Sequence, residues 1–222
     1  MKNIIIIFSL VLFISCKKAV IGATEKESIA IPWTDTSSKH PLNTNLSALL
    51  EKYRLKGLPG ISLLVNTGKG TWVGATGKAD IEKNIPFEVG QVSQVASITK
   101  LFIGTLVFKL IEDSANTGLN YRSLNQPITT WLPHTLTDKL ANGNTITLGD
   151  CLRHETGVPD IIEQDKFYLA VLNNPNKLWT AMELLDFVYE KPAIFKARDT
   201  AIYSNTNTLL VSLVLDAATS KK

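Results

Sequence analysis

Ser97 and Lys100 stand three residues apart in "VASITKLF", a stretch in which every other residue except Thr99 is apolar. On a helix that spacing is roughly one turn, so the two side chains share a face. A serine at the start of a helix meets unpaired backbone N–H groups and the positive end of the dipole, and both stabilise negative charge on an oxygen. A lysine one turn deeper among apolar residues has its charged form disfavoured, which suits a base, and a serine nucleophile needs one. The pair also has a plainer meaning, with Ser97 as a helix N-cap and Lys100 carrying its ammonium to solvent. Spacing alone does not choose between them, because Ser15 and Lys18 repeat the pattern where it has no catalytic sense.

A second group lies downstream, where Tyr203-Ser204-Asn205 precedes the apolar run Thr206 to Thr219. A phenol beside a loop serine and an amide can supply a proton relay and a hold on a substrate carbonyl. The alternative is that Asn205 caps the following helix and Tyr203 packs beside it. No cluster of Cys, His, Asp and Glu has metal-ligand spacing, and His40, His134 and His154 are far apart, so neither a metal nor another cofactor is expected. The 23 basic residues are scattered against 20 acidic ones, a net charge of +3, which implies no nucleic-acid partner.

The elements that must position these groups follow from the rest of the chain. With 222 residues, 45% hydrophobic and 19% charged, it has a globular makeup and can build a sizeable core. Lys2 and the apolar run Ile4 to Ile14, broken only by Ser9, are too short to span a bilayer and fit an export signal over residues 1–15. The signal ends in Phe13-Ile14-Ser15-Cys16, similar to a bacterial lipobox in which Cys16 becomes the lipidated N-terminus; the simpler alternative is a plain signal peptide with an incidental cysteine. Residues 16–44 are polar and turn-rich, as a tether is. The folded domain is expected over 45–222. Leu46, Leu49, Leu50 and Tyr53 predict a helix stopped by Gly57, and Ile61–Asn66 with Thr71–Gly74 predict a hairpin. Ser97 to Glu112 predicts a helix apolar on nearly every side, which belongs in a core. Further helices are expected over Leu148–His154, after an N-cap at Thr180, and over Thr206–Thr219, with Cys151 as a small core residue.

Ser97-Ile98-Thr99-Lys100, "ITLGDCLRHETGVPD" and Tyr203-Ser204-Asn205, in this order, resemble the serine β-lactamase and penicillin-recognising family, in its class C, D-alanyl-D-alanine carboxypeptidase and esterase branch. The resemblance runs from about Asn45 to Thr219 and takes in the "GISLLV" hairpin and the His154–Gly157 turn. It implies an α/β (α+β) fold, with an antiparallel sheet flanked by helices and a mostly helical subdomain. It also implies that Ser97 attacks a carbonyl to form an acyl-enzyme, that Lys100 and Tyr203 share the proton transfers with either as the base, and that Asn205 binds the substrate amide. The Ser97 backbone N–H is the implied first half of an oxyanion hole. Substrates would be β-lactams, peptidoglycan D-Ala-D-Ala peptides or esters, met at the cell envelope on the periplasmic side of a lipid-anchored protein.

The family's third motif, Lys or His followed by Thr or Ser and Gly, does not follow Tyr203. The Xaa-Thr-Gly triplets end at Gly68, Gly77, Gly118 and Gly157, all lack the cation, and all come earlier. The expectation is an incomplete domain, poorly stable and inactive as a 222-residue polypeptide. The alternative is a non-catalytic lipoprotein with a binding or structural role. Two smaller departures are Ala197-Arg198, where relatives usually have Pro-Gly, and the charge of Glu155 beside His154.

Overall fold

The computed structural model describes residues 34–219, so the expected export signal and Cys16 lie outside the described residues. The chain divides into two compact units with the boundary between Gln94 and Val95. In the first, α1 (Asn43–Leu55) precedes β1 (Gly60–Thr67), β2 (Gly70–Asp80) and β3 (Ile85–Pro86), which form a three-stranded antiparallel sheet in the order β1-β2-β3. The expected hairpin is present, turning at Gly68-Lys69, and its second strand continues past Gly74 to Asp80. Gly60 pairs with Gly77, which has φ 87°, and a Cβ on Gly77 would stand 2.2 Å from the Pro59 carbonyl oxygen. Only glycine fits there. Trp72 is fully buried, and its indole N–H donates to Asn43 Oδ1 at 2.8 Å, fastening α1 to β2.

Residues 35–44, expected within the tether, are packed onto this unit. The Thr36 N–H donates to the Thr71 carbonyl (3.1 Å), the Val73 N–H donates to Ser37 Oγ (2.6 Å), and buried His40 bonds Thr67 Oγ1 through Nε2 (3.1 Å). Their polar side chains satisfy backbone groups on the edge of β2 at Thr71–Val73, which explains why a turn-rich composition is ordered here.

The second unit is helical. After a 3-10 turn at Ala96–Ile98 come α2 (Thr99–Glu112), α3 (Ser114–Thr117), α4 (His134–Thr137), α5 (Leu148–Arg153), α6 (Asp165–Asn173), α7 (Ala181–Leu185) and α8 (Asn205–Thr219). Along α8, Leu210, Val211, Val214, Leu215 and Ala218 make one buried stripe that packs against α5, α2 and α7. Thr180 caps α7 as expected, accepting the Glu183 N–H, and Cys151 is a core residue whose thiol is pushed up by burial.

The apolar helix after Ser97 departs from expectation twice. It begins at Thr99, leaving Ser97 in the preceding 3-10 turn, and its own unit does not enclose it. Val107 and Ile111 are buried and Ile103 and Leu110 partly so, but Leu101 and Phe102 are 69% and 63% exposed. Within its unit only the Ile103–Val107–Ile111 face has neighbours. No helix among the described residues is long and apolar enough to cross a membrane.

Candidate active site

Ala96 adopts φ 44°, a left-handed backbone that few side-chain-bearing residues take, and so bends the chain into the turn that presents Ser97. One turn later α2 brings Lys100 alongside, where its Nζ donates to Ser97 Oγ at 3.2 Å and to Asn205 Oδ1 at 2.7 Å. The Tyr203 hydroxyl lies 2.6 Å from Ser97 Oγ and donates to Asn205 Oδ1 at 3.4 Å. Lys100 Nζ also sits 4.9 Å from the centroid of the Tyr203 ring. The four residues expected from two separate motifs thus form one hydrogen-bonded cluster. The plainer readings do not describe it: Ser97 caps neither the 3-10 turn nor α2, and Asn205, the first residue of α8, turns its amide to Lys100. Lys100 is surrounded by oxygen acceptors and an aromatic face rather than by the apolar groups expected.

Tyr203 is held by the turn that follows α5. His154 ends that helix in a left-handed conformation, φ 60°, and Gly157 follows at φ 71°. A Cβ on Gly157 would lie 2.0 Å from the Phe195 carbonyl oxygen, so glycine lets the two segments touch. They are then joined by Ile194 N–H to Gly157 O (2.9 Å), Arg198 N–H to Glu155 O (2.8 Å) and Ile202 N–H to His154 O (3.0 Å). The Ser204 N–H donates to His154 Nδ1 at 3.2 Å, Asn207 Nδ2 reaches the same nitrogen at 3.2 Å, and the His154 and Tyr203 rings lie 4.8 Å apart. Two donors on Nδ1 place the proton of a neutral imidazole on Nε2. Burial, and then the Lys100 charge, hold His154 below its ordinary value.

Two members of the site were not among the residues expected to act. His154 is one. The other is Asp160, buried, whose Oδ2 accepts from Asn205 Nδ2 at 2.9 Å. Both lie in "HETGVPD", and the available signal was a charged residue placed directly after a Gly-Val-Pro turn. Among the described residues, no three His, Cys, Asp or Glu side chains stand close enough to hold a metal ion.

Electrostatically, Lys100 and then Ser97 draw the Tyr203 phenol below the usual tyrosine value. Tyr203 is 49% exposed, so water screens part of that effect. A serine hydroxyl in a short hydrogen bond with such a phenol, beside a fixed ammonium, is equipped for nucleophilic attack and proton transfer.

Known proteins share this arrangement of elements. The D-amino acid amidase from Ochrobactrum anthropi SV3, solved with D-phenylalanine, superposes with a TM-score of 0.63 at 27% identity, covering 81% of this chain and 46% of that one. A penicillin-binding protein from Bacillus halodurans superposes with a TM-score of 0.59 over 79% of this chain and 48% of that one, and at 20% identity it speaks for the fold alone. Protein flp of Staphylococcus aureus (strain MW2) is 29% identical over 181 residues, 79% of this chain and 33% of its own length. The chain therefore spans about a third of the length of that curated relative and just under half of these structures. The match to the family described as Beta-lactamase runs over residues 46–222, from within α1 to past the end of α8 and so across every residue of the cluster, and the chain belongs to that family.

Proposed function

We propose that the protein is a serine hydrolase acting through an acyl-enzyme on Ser97, with β-lactams, D-alanyl-D-alanine peptides or esters as acyl donors. It works at the cell envelope, where lipid on Cys16 anchors it. The observation that carries the reading is the triangle of Ser97 Oγ, Tyr203 OH at 2.6 Å and Lys100 Nζ at 3.2 Å. The shorter distance, and a phenol drawn below its usual value, support Tyr203 as the proton carrier with Lys100 as the fixed positive charge.

In this mechanism the Tyr203 phenolate takes the Ser97 proton as Oγ bonds to the carbonyl carbon and the carbonyl π pair moves onto oxygen. The Ser97 backbone N–H, in the 3-10 turn before α2, donates to that oxyanion. Collapse breaks the C–N or C–O bond and the proton passes from Tyr203 to the leaving group. Water then attacks the ester by the same route, releasing the acid and restoring Ser97. Asn205 gives one amide hydrogen to Asp160, and the second is the group for a substrate carbonyl. The amidase from Ochrobactrum anthropi, by its name a D-amino acid amidase, supports acyl donors of D configuration.

The test is intact-mass and peptide mapping of the full-length protein after exposure to benzylpenicillin and, separately, to a fluorophosphonate. An adduct on Ser97 that vanishes in Ser97→Ala is expected, and Tyr203→Phe should slow its formation about 10²–10⁴-fold. A protein that takes up neither reagent is a binding lipoprotein and not a hydrolase.

A further inference from the structure

An amide side chain offers a donor on one side and an acceptor on the other, and its neighbours decide which way it faces. Asn205 has two such neighbours, and they agree. Lys100 Nζ, which can only donate, lies 2.7 Å from Oδ1, while the Asp160 carboxylate, which when ionised can only accept, lies 2.9 Å from Nδ2. Asp160 is itself fixed. It is 8% exposed, its Oδ1 accepts from the Ile162 N–H at 3.2 Å, and its backbone carbonyl accepts from Gln164 Nε2 at 2.8 Å. The residues on either side are latched to the start of α8, where Thr206 Oγ1 donates to the Pro159 carbonyl at 2.7 Å and accepts from the Ile161 N–H at 3.1 Å. The backbone that carries the carboxylate is thus fastened to α8, and the Ile162 N–H holds its Oδ1 while Oδ2 meets Asn205.

We propose that Asp160 is a positioning residue of the reaction: by accepting Asn205 Nδ2 it fixes the orientation of that amide and, through Asn205 Oδ1, seats the Lys100 ammonium against Ser97 Oγ. This rests on the hydrolase reading of the cluster. The charge of Asp160 acts alongside the geometry. The titratable groups it faces are Lys100 from α2, Tyr203 from the loop before α8 and His154 from the turn after α5; its field raises both Tyr203 and His154, against the lowering effect of Lys100 on each. A residue that only capped the 160–163 turn would affect stability and leave the titration of Tyr203 unmoved.

The test compares the full-length parent with Asp160→Asn and Asp160→Ala by two readouts. The first is the rate of fluorophosphonate labelling at Ser97 across pH. Asp160→Asn should be slower by about tenfold and Asp160→Ala by about a hundredfold, as for other residues that orient a reacting group. The acid limb of the Asn variant should lie at lower pH than that of the parent. The second readout is the titration of Tyr203 followed by the 13C shift of its ring Cζ, which needs no turnover and should move to lower pH in Asp160→Asn. An Asn variant with the parent's rate, or one that is slower while Tyr203 titrates as in the parent, overturns the proposal. If Asp160→Ala does not fold, the Asn variant, which keeps an acceptor oxygen, decides. If the parent is not labelled at Ser97 the hydrolase reading fails on its own account, and the Tyr203 titration still decides whether Asp160 acts on the cluster.

Discussion

Arg198 holds φ 74°, a backbone conformation that costs a residue with a side chain about 1–2 kcal/mol and that glycine takes freely. The structure shows what offsets that cost. Asp150 is 1% exposed, and the Arg198 guanidinium meets it with Nη2 at 2.8 Å and Nε at 3.0 Å from Oδ2, while Nη2 also donates to the Thr145 carbonyl at 2.6 Å. Arg153 Nη2 and the Thr147 N–H complete the shell at 3.0 and 2.9 Å. Burial pushes the Asp150 carboxyl up, but Thr147 and Arg198 together outweigh it and hold the group below its ordinary value. Arg198→Ala, with Arg153 still in place, should lower stability in urea unfolding by about 2 kcal/mol, and Arg198→Gly by about 1 kcal/mol less because glycine relieves the strained φ. The sign with pH follows. A folded value below the unfolded 3.8 makes the contribution of Asp150 complete above that pH and progressively lost as pH falls through the folded value. Removing Arg198 raises the folded value, so acid unfolding monitored by circular dichroism should shift to higher pH. Equal stability losses for the two variants would show that φ 74° stores no strain. The unusual arginine is visible in the sequence, but its partner is not, because the two lie 48 residues apart and no local pattern records such a pairing.

The turn from His154 to Gly157 is the element that places the phenol, and its tolerance is set by the contact between Gly157 and Phe195. A methyl at Gly157 would have to share space with the Phe195 carbonyl at 2.0 Å while also holding φ 71°. Gly157→Ala should therefore cost about 2–3 kcal/mol in thermal unfolding and slow labelling of Ser97 at temperatures where the protein is still folded, because the ladder to Ile194, Arg198 and Ile202 carries Tyr203. Full labelling at unchanged rate would mean that Tyr203 is held by α8 alone. Elements whose signals are local were legible. The Gly68-Lys69 hairpin, the Thr180 cap and the existence of α8 all come from turn residues, capping chemistry or an apolar run. The residues of the cluster were legible as candidates too, since Ser97-x-x-Lys100 and Tyr203-Ser204-Asn205 are short motifs. The parts of Asp160 and His154 were not, because a polar residue beside a Gly-Val-Pro turn looks the same in sequence whether it faces water or Asn205, and nothing local tells that His154 meets Ser204, Asn207 and Tyr203 some 50 residues on. Likewise residues 35–44 have the composition of a tether, and only the open edge of β2 gives their polar side chains partners.

At the scale of the whole molecule, each unit taken by itself leaves something uncovered: apolar surface on the helical unit and one edge of the sheet in the other. Ile98, Leu101, Phe102 and Leu106 stand on the outer side of α2 and its preceding turn, exposed by 57%, 69%, 63% and 43%. In the order β1-β2-β3 the strand β1 is paired on one side only among the described residues. Contiguous exposed apolar surface and an open strand edge are both sites of association. The length of apolar helix did not reveal this, since a sequence apolar on every side predicts burial without saying which neighbour supplies it. The 222-residue polypeptide should consequently bind a dye such as 1-anilinonaphthalene-8-sulfonate and self-associate in sedimentation experiments. Phe102→Lys and Leu101→Lys should suppress both behaviours. Because neither side chain lies in the core formed by Val107, Ile111 and α8, each replacement should change the unfolding free energy by no more than about 0.5 kcal/mol. Ser97 and Lys100 lie beside this surface, so the same variants also ask whether the apolar face matters to the site: labelling of Ser97 that survives Phe102→Lys would separate the two. A polypeptide that stays monomeric and dark with the dye would show that this face is covered in solution, and the exposed stripe would then be the wrong account of α2.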